Sequence, residues 1–586
     1  MTRNGRRLLL AGVAFVAATV VTFGILAPPE RCPAPSTAEL RGAAEEAVAW
    51  FVRNQRDDGR WLYEYDAAAD RVSDDYNVVR HAGGIMGLYQ AASAAIEGAL
   101  GSADRGLRWA EDNVVEHDGW SALALDGRAP AGASALLAAG LAERRLATGE
   151  TVHDDLLRSL GRFLVTLTEP SGALTAQYDA VAMEPVAGSR SKYYTGEAYW
   201  ALARLHLAFP DEGFGAAADR VGHYLTRRDD VEGLWPPIPD HWVAYGLAET
   251  AAFPERDPER PLTDAELDHA RRQAGLFGSS VRWVSQQAGP WGSLVRGTRE
   301  LRGGGYGVVG EALTGLWRVA EVDERMAGWR RPLAERATCI AGLALGAQGW
   351  QGDRSVDAGM TDGAWFIDGV TRMDDQQHAI SALLRTEAIV EAPIAPGRDA
   401  PSRWLWALAL LAVLNPAWIA FAVPGRAARE RAGVAAAGGL VGSAVIVLAA
   451  AVSGALLRAL DVSPPAVRLA VGVVAAVAGI VRMVGFARTS PPVEGAAGWA
   501  AALVPVAVPL VASPALVLLG LSAGADLGVL FVVGCLVVGV AVTTVLAAVR
   551  PERGPGRTVL RWAAAVLAAA AVVAGVLLII DAAFDV

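Results

Sequence analysis

The chain has 586 residues, of which 53% are hydrophobic and 19% charged, and carries a formal net charge of −10. It is too long and too apolar for one soluble domain, and an acidic chain without a Lys/Arg block is a poor partner for nucleic acid. Its three cysteines fall in no Cys/His zinc spacing, so the sequence predicts neither a metal nor another cofactor.

Taken in chain order, Leu8 to Leu26 is an uninterrupted apolar run behind Arg3, Arg6 and Arg7, long enough to cross a bilayer. Ala27-Pro28-Pro29 is a poor cleavage site, so residues 1–27 read as an uncleaved anchor and 28–39 as a linker.

Residues 40–392 repeat one phrase six times at a spacing of about 55 residues. An apolar helix leads into a Gly/Trp turn, a polar loop and a second helix rich in Ala, Leu and Gly. The turns are Asp58-Gly59-Arg60-Trp61, Asp118-Gly119-Trp120, Ser171-Gly172-Ala173, Glu232-Gly233-Leu234-Trp235, Gly289-Pro290-Trp291 and Gln348-Gly349-Trp350. Six such hairpins predict an all-α (α/α)6 toroid. The first helices, near 41–55, 102–115, 152–168, 213–228, 263–287 and 328–348, carry charges beside apolar stripes and suit an outer ring. The second helices, near 80–98, 130–147, 193–208, 239–252, 306–320 and 376–390, are apolar almost all round and suit an inner ring.

Residues 393–402 form a second linker, and 403–586 hold six more apolar runs, near 404–423, 434–457, 466–487, 497–520, 527–549 and 562–580. Alternate connectors are arginine-rich: Arg426, Arg429 and Arg431; Arg482 and Arg488; Arg550, Arg553, Arg557 and Arg561. By the positive-inside rule these connectors and the amino terminus are cytoplasmic, which predicts seven spans in the lipid bilayer and an extracytoplasmic toroid. The spans are nearly uncharged, unlike an ion or proton pathway. Cys32 and Cys339 are then both outside and pair if the fold joins them, whereas Cys535 lies in a span.

In a toroid the inner helices all begin at one end of the ring, after the long loops, so their first turns converge. These read Asp74-Asp75-Tyr76-Asn77 with Arg80-His81, Tyr193-Tyr194 with Glu197, Asp240-His241-Trp242, Gly305-Tyr306 with Glu311, and Arg372 with Asp374-Asp375-Gln376-Gln377-His378. The second repeat, with Pro130-Ala131-Gly132, is bare. Any one of Asp74, Asp240 and Asp374 has the chemistry of an N-cap, and a lone His81 or His378 that of a satisfied core histidine. The crowding exceeds what caps require. Asp75, Tyr76, His81, Glu197, Asp240, Asp375 and His378 are the candidate catalytic residues. Aromatic faces for sugar rings with planar groups for hydroxyls make Trp61, Asn77, Arg80, Tyr193, Tyr194, His241, Trp242, Trp365, Arg372, Gln376 and Gln377 the candidate binding residues.

The segment Gln55-Arg56-Asp57-Asp58-Gly59-Arg60-Trp61 resembles the Q-x-x-x-G-x-W repeat of squalene and other terpenoid cyclases, which fold as α/α toroids. Their acidic D-x-D-D donor has no match, since Met373-Asp374-Asp375-Gln376 and Ser73-Asp74-Asp75-Tyr76 depart from it. The six hairpins, with Tyr76-Asn77-x-x-Arg80-His81-Ala82-Gly83 and Tyr194-Thr195-Gly196-Glu197-Ala198, are similar to the six-hairpin glycosidase-like superfamily of hydrolases, lyases and epimerases. That resemblance is architectural and carries over no residue role. The zinc-binding Cys and His set of the lanthionine-cyclase toroids is missing.

These readings favour a bacterial cell-envelope enzyme acting on an extracytoplasmic glycan or glycolipid as hydrolase, lyase or epimerase. Two rivals are a terpenoid-cyclase-like enzyme on a membrane lipid and a non-catalytic glycan-binding or assembly subunit.

Overall fold

The computed structural model describes residues 3–227, 239–297, 305–352, 356–393, 402–425, 427–488, 499–551 and 554–586. It divides into two compact units, one comprising Cys32–Ser285, Arg299–Arg398 and Val586, the other Met1–Arg31, Gln286–Thr298 and Asp399–Asp585.

The first unit is the (α/α)6 toroid. Its inner helices are Val78–Ser93, Ala131–Thr148, Tyr194–Ala208, His241–Thr250, Gly305–Val322 and Met373–Glu391. Each packs on the next, and the sixth packs on the first, which closes the ring. The outer helices are Thr37–Arg53, Ala99–Glu111, Asp154–Leu167, Phe214–Arg227, Asp264–Gln287 and Arg330–Ala347. Patterning explains the two layers. The third outer helix buries Leu157, Leu160, Phe163, Leu164 and Leu167 on one face, as an amphipathic helix on a core must. In the second inner helix every residue from Ala131 to Arg144 is buried. Small residues let these backbones approach. A Cβ on Gly307 would come within 2.3 Å of the His378 carbonyl carbon, and one on Gly246 within 2.2 Å of the Tyr199 ring.

Two of the expected Gly/Trp turns lie elsewhere. Gly59 and Gly363 both adopt positive φ, 93° and 77°, and at each a Cβ would lie 2.4 Å from a carbonyl oxygen of an adjoining outer helix, Arg105 O and Glu46 O. Only glycine fits there. The sixth turn is therefore Asp362-Gly363-Ala364-Trp365 rather than Gln348-Gly349-Trp350; nothing lies within 4 Å of a Cβ on Gly349. Gly289-Pro290-Trp291 is likewise no toroid turn. It opens a short helix, Pro290–Arg296, in the second unit, where Trp291 Nε1 donates to Gly24 O at 2.6 Å. The turn expected at Glu232 to Trp235, Arg426, Arg553 and most of the 393–402 linker lie outside the described residues.

Two features tie the end of the toroid to its beginning. Strand Glu64–Asp66 pairs antiparallel with Arg71–Val72 and with Val370–Arg372, setting Glu64 opposite Arg372. Cys32 and Cys339 form a disulfide across a sequence separation of 307 residues.

In the second unit six helices among the described residues are long and apolar enough to cross a membrane, or seven spans result if the bent pair Ala502–Val511 and Pro514–Leu527 counts as one. The run expected as a simple span at 497–520 is that pair, bent by 60°; Pro505, Pro509 and Pro514 lack the N–H groups a continuous helix needs. Arginines of the connectors cap helix C-termini. Arg431 donates to Ala547 O and Ala548 O, and Arg550 to Ala420 O, Phe421 O and Val423 O. The spans are less bare than expected, for Arg468 and Asp526, each 1% exposed, form an ion pair at 3.0 Å. Asp581 and Asp585 also reach Arg468, each at 2.7 Å.

Candidate functional site

Asp240 shows how the site is assembled from helix starts. Its Oδ1 accepts from Trp242 N at 3.1 Å as the N-cap of the fourth inner helix, and the residue is fully buried. A Cβ on Gly196 would stand 2.6 Å from Asp240 Oδ2, which puts the carboxylate against the first turn of the third inner helix. The neighbour there is Glu197, also buried, whose Oε2 makes no hydrogen bond. Burial, with the charge of Asp240, pushes the Glu197 carboxyl up to about 8.

Next to this pair lie three side chains from the fourth, fifth and sixth inner helices. Glu311 Oε2 is 2.6 Å from His378 Nδ1 and 3.5 Å from His241 Nε2, and the two imidazole rings are 5.2 Å apart. Burial holds His241 neutral, its basicity lowered well below the usual histidine range with His378 adding to the effect. Burial opposes charge on His378 too, but Glu311 outweighs it and the group is raised. Trp242 walls the group, 4.2 Å from the His241 ring and 5.7 Å from that of His378. Gln377 Nε2 reaches His378 Nδ1 at 3.3 Å.

Asp375 completes the set. It is buried, and burial together with the charge of Asp374 raises its carboxyl, while Arg372, His378 and Arg80 act the other way. The N-cap of its helix is Arg372, so Asp375 is not the cap. Above it the first and sixth repeats are bolted together: Arg80 pairs with Asp374 at 3.1 Å, and Arg372 with Glu64 at 2.6 Å. Tyr194 stands within the fields of Glu197 and Arg80, and the half-exposed Tyr193 within that of Asp240.

Seven candidates lie apart from this group or have their polar groups committed to the scaffold. Trp61 is fully buried against the second outer helix, where a Cβ on Gly106 would touch its ring. Tyr76 OH accepts from Trp61 N at 3.2 Å and shares a 2.6 Å hydrogen bond with His81 Nδ1. His81 Nε2 reaches Gly106 O at 3.0 Å; a carbonyl only accepts, so Nε2 carries the proton and Nδ1 takes the tyrosine's. Burial lowers His81 to about 3, keeping it neutral. Asn77 is the N-cap of the first inner helix, accepting from Val79 N and Arg80 N. Gln376 Oε1 accepts from Trp365 N at 3.1 Å, a bracing contact within the sixth repeat. Asp75 is exposed, its N–H donating to Ser73 Oγ at 3.1 Å. The Q-x-x-x-G-x-W segment is also structural. Gln55 Nε2 donates to Gly59 O and Ser102 O, tying the turn to the next outer helix.

The inner helices are charged deeper in, where the sequence reads as nearly neutral. Arg204 Nη1 is 2.5 Å from Glu143 Oε1, Glu249 Oε1 is 3.2 Å from Arg318 Nη1, and Arg385 covers the Tyr245 ring at 4.1 Å. A few charges per helix, set among alanines and leucines, have no pattern to reveal their pairing. A separate surface groove of about 510 Å³, lined by Glu116, His117, Asp118, Asp155 and Arg162 among others, contains no candidate residue.

The chain is similar in fold to several solved sugar-processing enzymes. Cellobiose 2-epimerase from Spirochaeta thermophila aligns over 65% of this chain and 98% of its own, with 13% identity and a TM-score of 0.43. An inactive variant of an α-1,6-mannanase from a Salegentibacter species, in complex with α-1,6-mannotriose, aligns over 60% of this chain and 100% of its own, with 15% identity and a TM-score of 0.41. A D-mannose isomerase aligns over 60% of this chain and 98% of its own, with 11% identity and a TM-score of 0.42. No family model and no curated protein matches the sequence.

Proposed function

We propose that this protein is a membrane-anchored cell-envelope enzyme that hydrolyses a glycosidic bond of an extracytoplasmic glycan or glycolipid bound at the mouth of the toroid. The observation that carries the reading is the buried Glu197–Asp240 pair. Two adjacent carboxyls taken from water cannot both ionise cheaply, so one keeps its proton. Glu197 is the general acid toward the leaving oxygen, and Asp240 is the neighbouring carboxyl that helps keep the proton on it. Asp375, held protonated by burial beside Asp374, is a second donor on the other side of His378. Tyr193, Tyr194 and Arg80 supply aromatic faces and a charge for the sugar.

A buried carboxyl oxygen left without a hydrogen bond, as Glu197 Oε2 is, destabilises a fold, which disfavours a purely structural subunit. The carboxylate-rich site likewise disfavours a terpenoid cyclase, whose cavity walls are aliphatic and aromatic. The arginine bias of the connectors supports a cytoplasmic amino terminus and seven spans, and the Cys32–Cys339 disulfide favours an oxidising compartment for the toroid.

The test is release of new reducing ends when the purified full-length protein, in detergent, meets envelope glycan and glycolipid fractions. The wild type is expected to release them and Glu197→Gln to be slowed about 100-fold or more. Equal release by Glu197→Gln, or none by the wild type from any fraction, overturns the reading.

A further inference from the structure

We infer that His241, Glu311 and His378 hold a divalent metal ion, and that their chemistry fits Zn2+. The three ligand atoms lie within 4.8 Å of one another. Zinc bonds of about 2.0–2.2 Å separate the ligands of a tetrahedral ion by about 3.3–3.6 Å. The 3.5 Å between Glu311 Oε2 and His241 Nε2 already has that value, and the 2.6 Å between Glu311 Oε2 and His378 Nδ1 needs to open by less than the width of an atom.

A second observation is independent of spacing. Neither ring nitrogen of His241 has a hydrogen-bond partner, nor does Glu311 Oε1, although the His241 and Glu311 side chains are only 4% and 0% exposed. Buried polar atoms are almost always satisfied. A bound cation satisfies an imidazole nitrogen and a carboxylate at once.

The scaffold suits the purpose. Each ligand comes from a different inner helix, the fourth, fifth and sixth, and the close approach at Gly307 clamps the fifth against the backbone of His378. Two imidazoles and one carboxylate are the donor set of catalytic zinc sites, leaving one position for water or a substrate oxygen; Ca2+ and Mg2+ favour all-oxygen shells. The sequence has no short Cys/His spacing because the ligands are drawn from three repeats. The inference stands apart from the hydrolytic reading, since metal content is read on the resting protein.

Elemental analysis of the full-length protein in detergent, stripped by chelator and then dialysed against Zn2+, should find about one equivalent per chain. His241→Gln, Glu311→Gln and His378→Gln should each lower it severalfold, whereas Glu197→Gln, which changes no ligand, should keep it. Because a variant can misfold, the stripped wild type is also titrated with Co2+, where visible d–d bands of nitrogen and oxygen ligation should appear and vanish on adding Zn2+. Less than about a tenth of an equivalent with no Co2+ bands, or equal metal in wild type and all three ligand variants, overturns the site. If Glu197→Gln retains metal but its activity equals that of wild type, the hydrolytic reading falls and the metal site stands.

Discussion

A Cβ on Gly132 would stand 2.1 Å from Glu197 Oε2, so the second repeat surrenders its place in the mouth to a side chain of the third. The bareness of Pro130-Ala131-Gly132 is thus room for a carboxyl. Gly132→Ala should force Glu197 aside and destabilise the toroid by about 1–3 kcal/mol. Gly42→Ala, where nothing lies within 4 Å, should be neutral or stabilising by up to about 1 kcal/mol. Thermal unfolding of the two variants makes the comparison; equal Tm values would show that the mouth tolerates the methyl group.

The raised carboxyl of Glu197 links stability to pH. A folded-state value of about 8 against an unfolded value of 4.5 means that the native state binds the extra proton. Its stabilising contribution is fully present below about pH 4.5 and is lost as pH rises through about 8. Glu197→Gln removes this dependence. The variant should therefore gain in Tm relative to wild type between pH 5 and pH 8, by at most a few kcal/mol in stability. A difference in Tm that is flat across this window would mean that Glu197 is ionised when folded.

The ring was legible because helical patterning survives in every repeat and because helices such as Ala131–Thr148 have almost no polar face. The mouth was legible for Glu197, Asp240, Asp375 and His378, since topology alone brings inner-helix starts to one end. Direction was not legible. A first turn points side chains all round the helix axis, so His81 faces the second outer helix while His378 meets Glu311. Glu311, the seventh residue of its helix, sits a turn deeper than the other helix-start groups; the sequence sets it beside Gly305-Tyr306 but does not single it out as a candidate site residue. Gly349 and Gly363 carry similar Gly/Trp phrases, and only packing on Glu46 O distinguishes them.

Tyr76 should behave as scaffold. Tyr76→Phe leaves the acceptor His81 Nδ1 and the donor Trp61 N buried without their partner, at an expected cost of about 1–3 kcal/mol. Glycan release and metal content at a permissive temperature should stay at wild-type levels. Loss of either with an unchanged Tm would return Tyr76 to the site.

Sidedness can be read with reporters and thiol chemistry. A reporter fused after Asp461 is expected outside and one after Arg550 inside. In intact cells Cys32 and Cys339 should be protected from alkylation until a reductant is added, while Cys32→Ser and Cys339→Ser should lower Tm equally and non-additively, by about 2–5 kcal/mol. Both reporters on one side would reverse the topology.

Asp375 gives the sharpest separation of catalysis from capping. It sits in the first turn of the sixth inner helix, but the cap position belongs to Arg372, and the residue is 3% exposed. An N-cap tolerates Asn and suffers from Ala; a buried acid that donates a proton does not tolerate Asn at all. Asp375→Asn preserves shape and removes only the exchangeable proton, and it relieves a carboxyl that burial disfavours. It should therefore abolish glycan release while leaving Tm unchanged or slightly raised. Full activity in Asp375→Asn together with a lowered Tm in Asp375→Ala would remove Asp375 from the chemistry and leave proton donation to Glu197 alone.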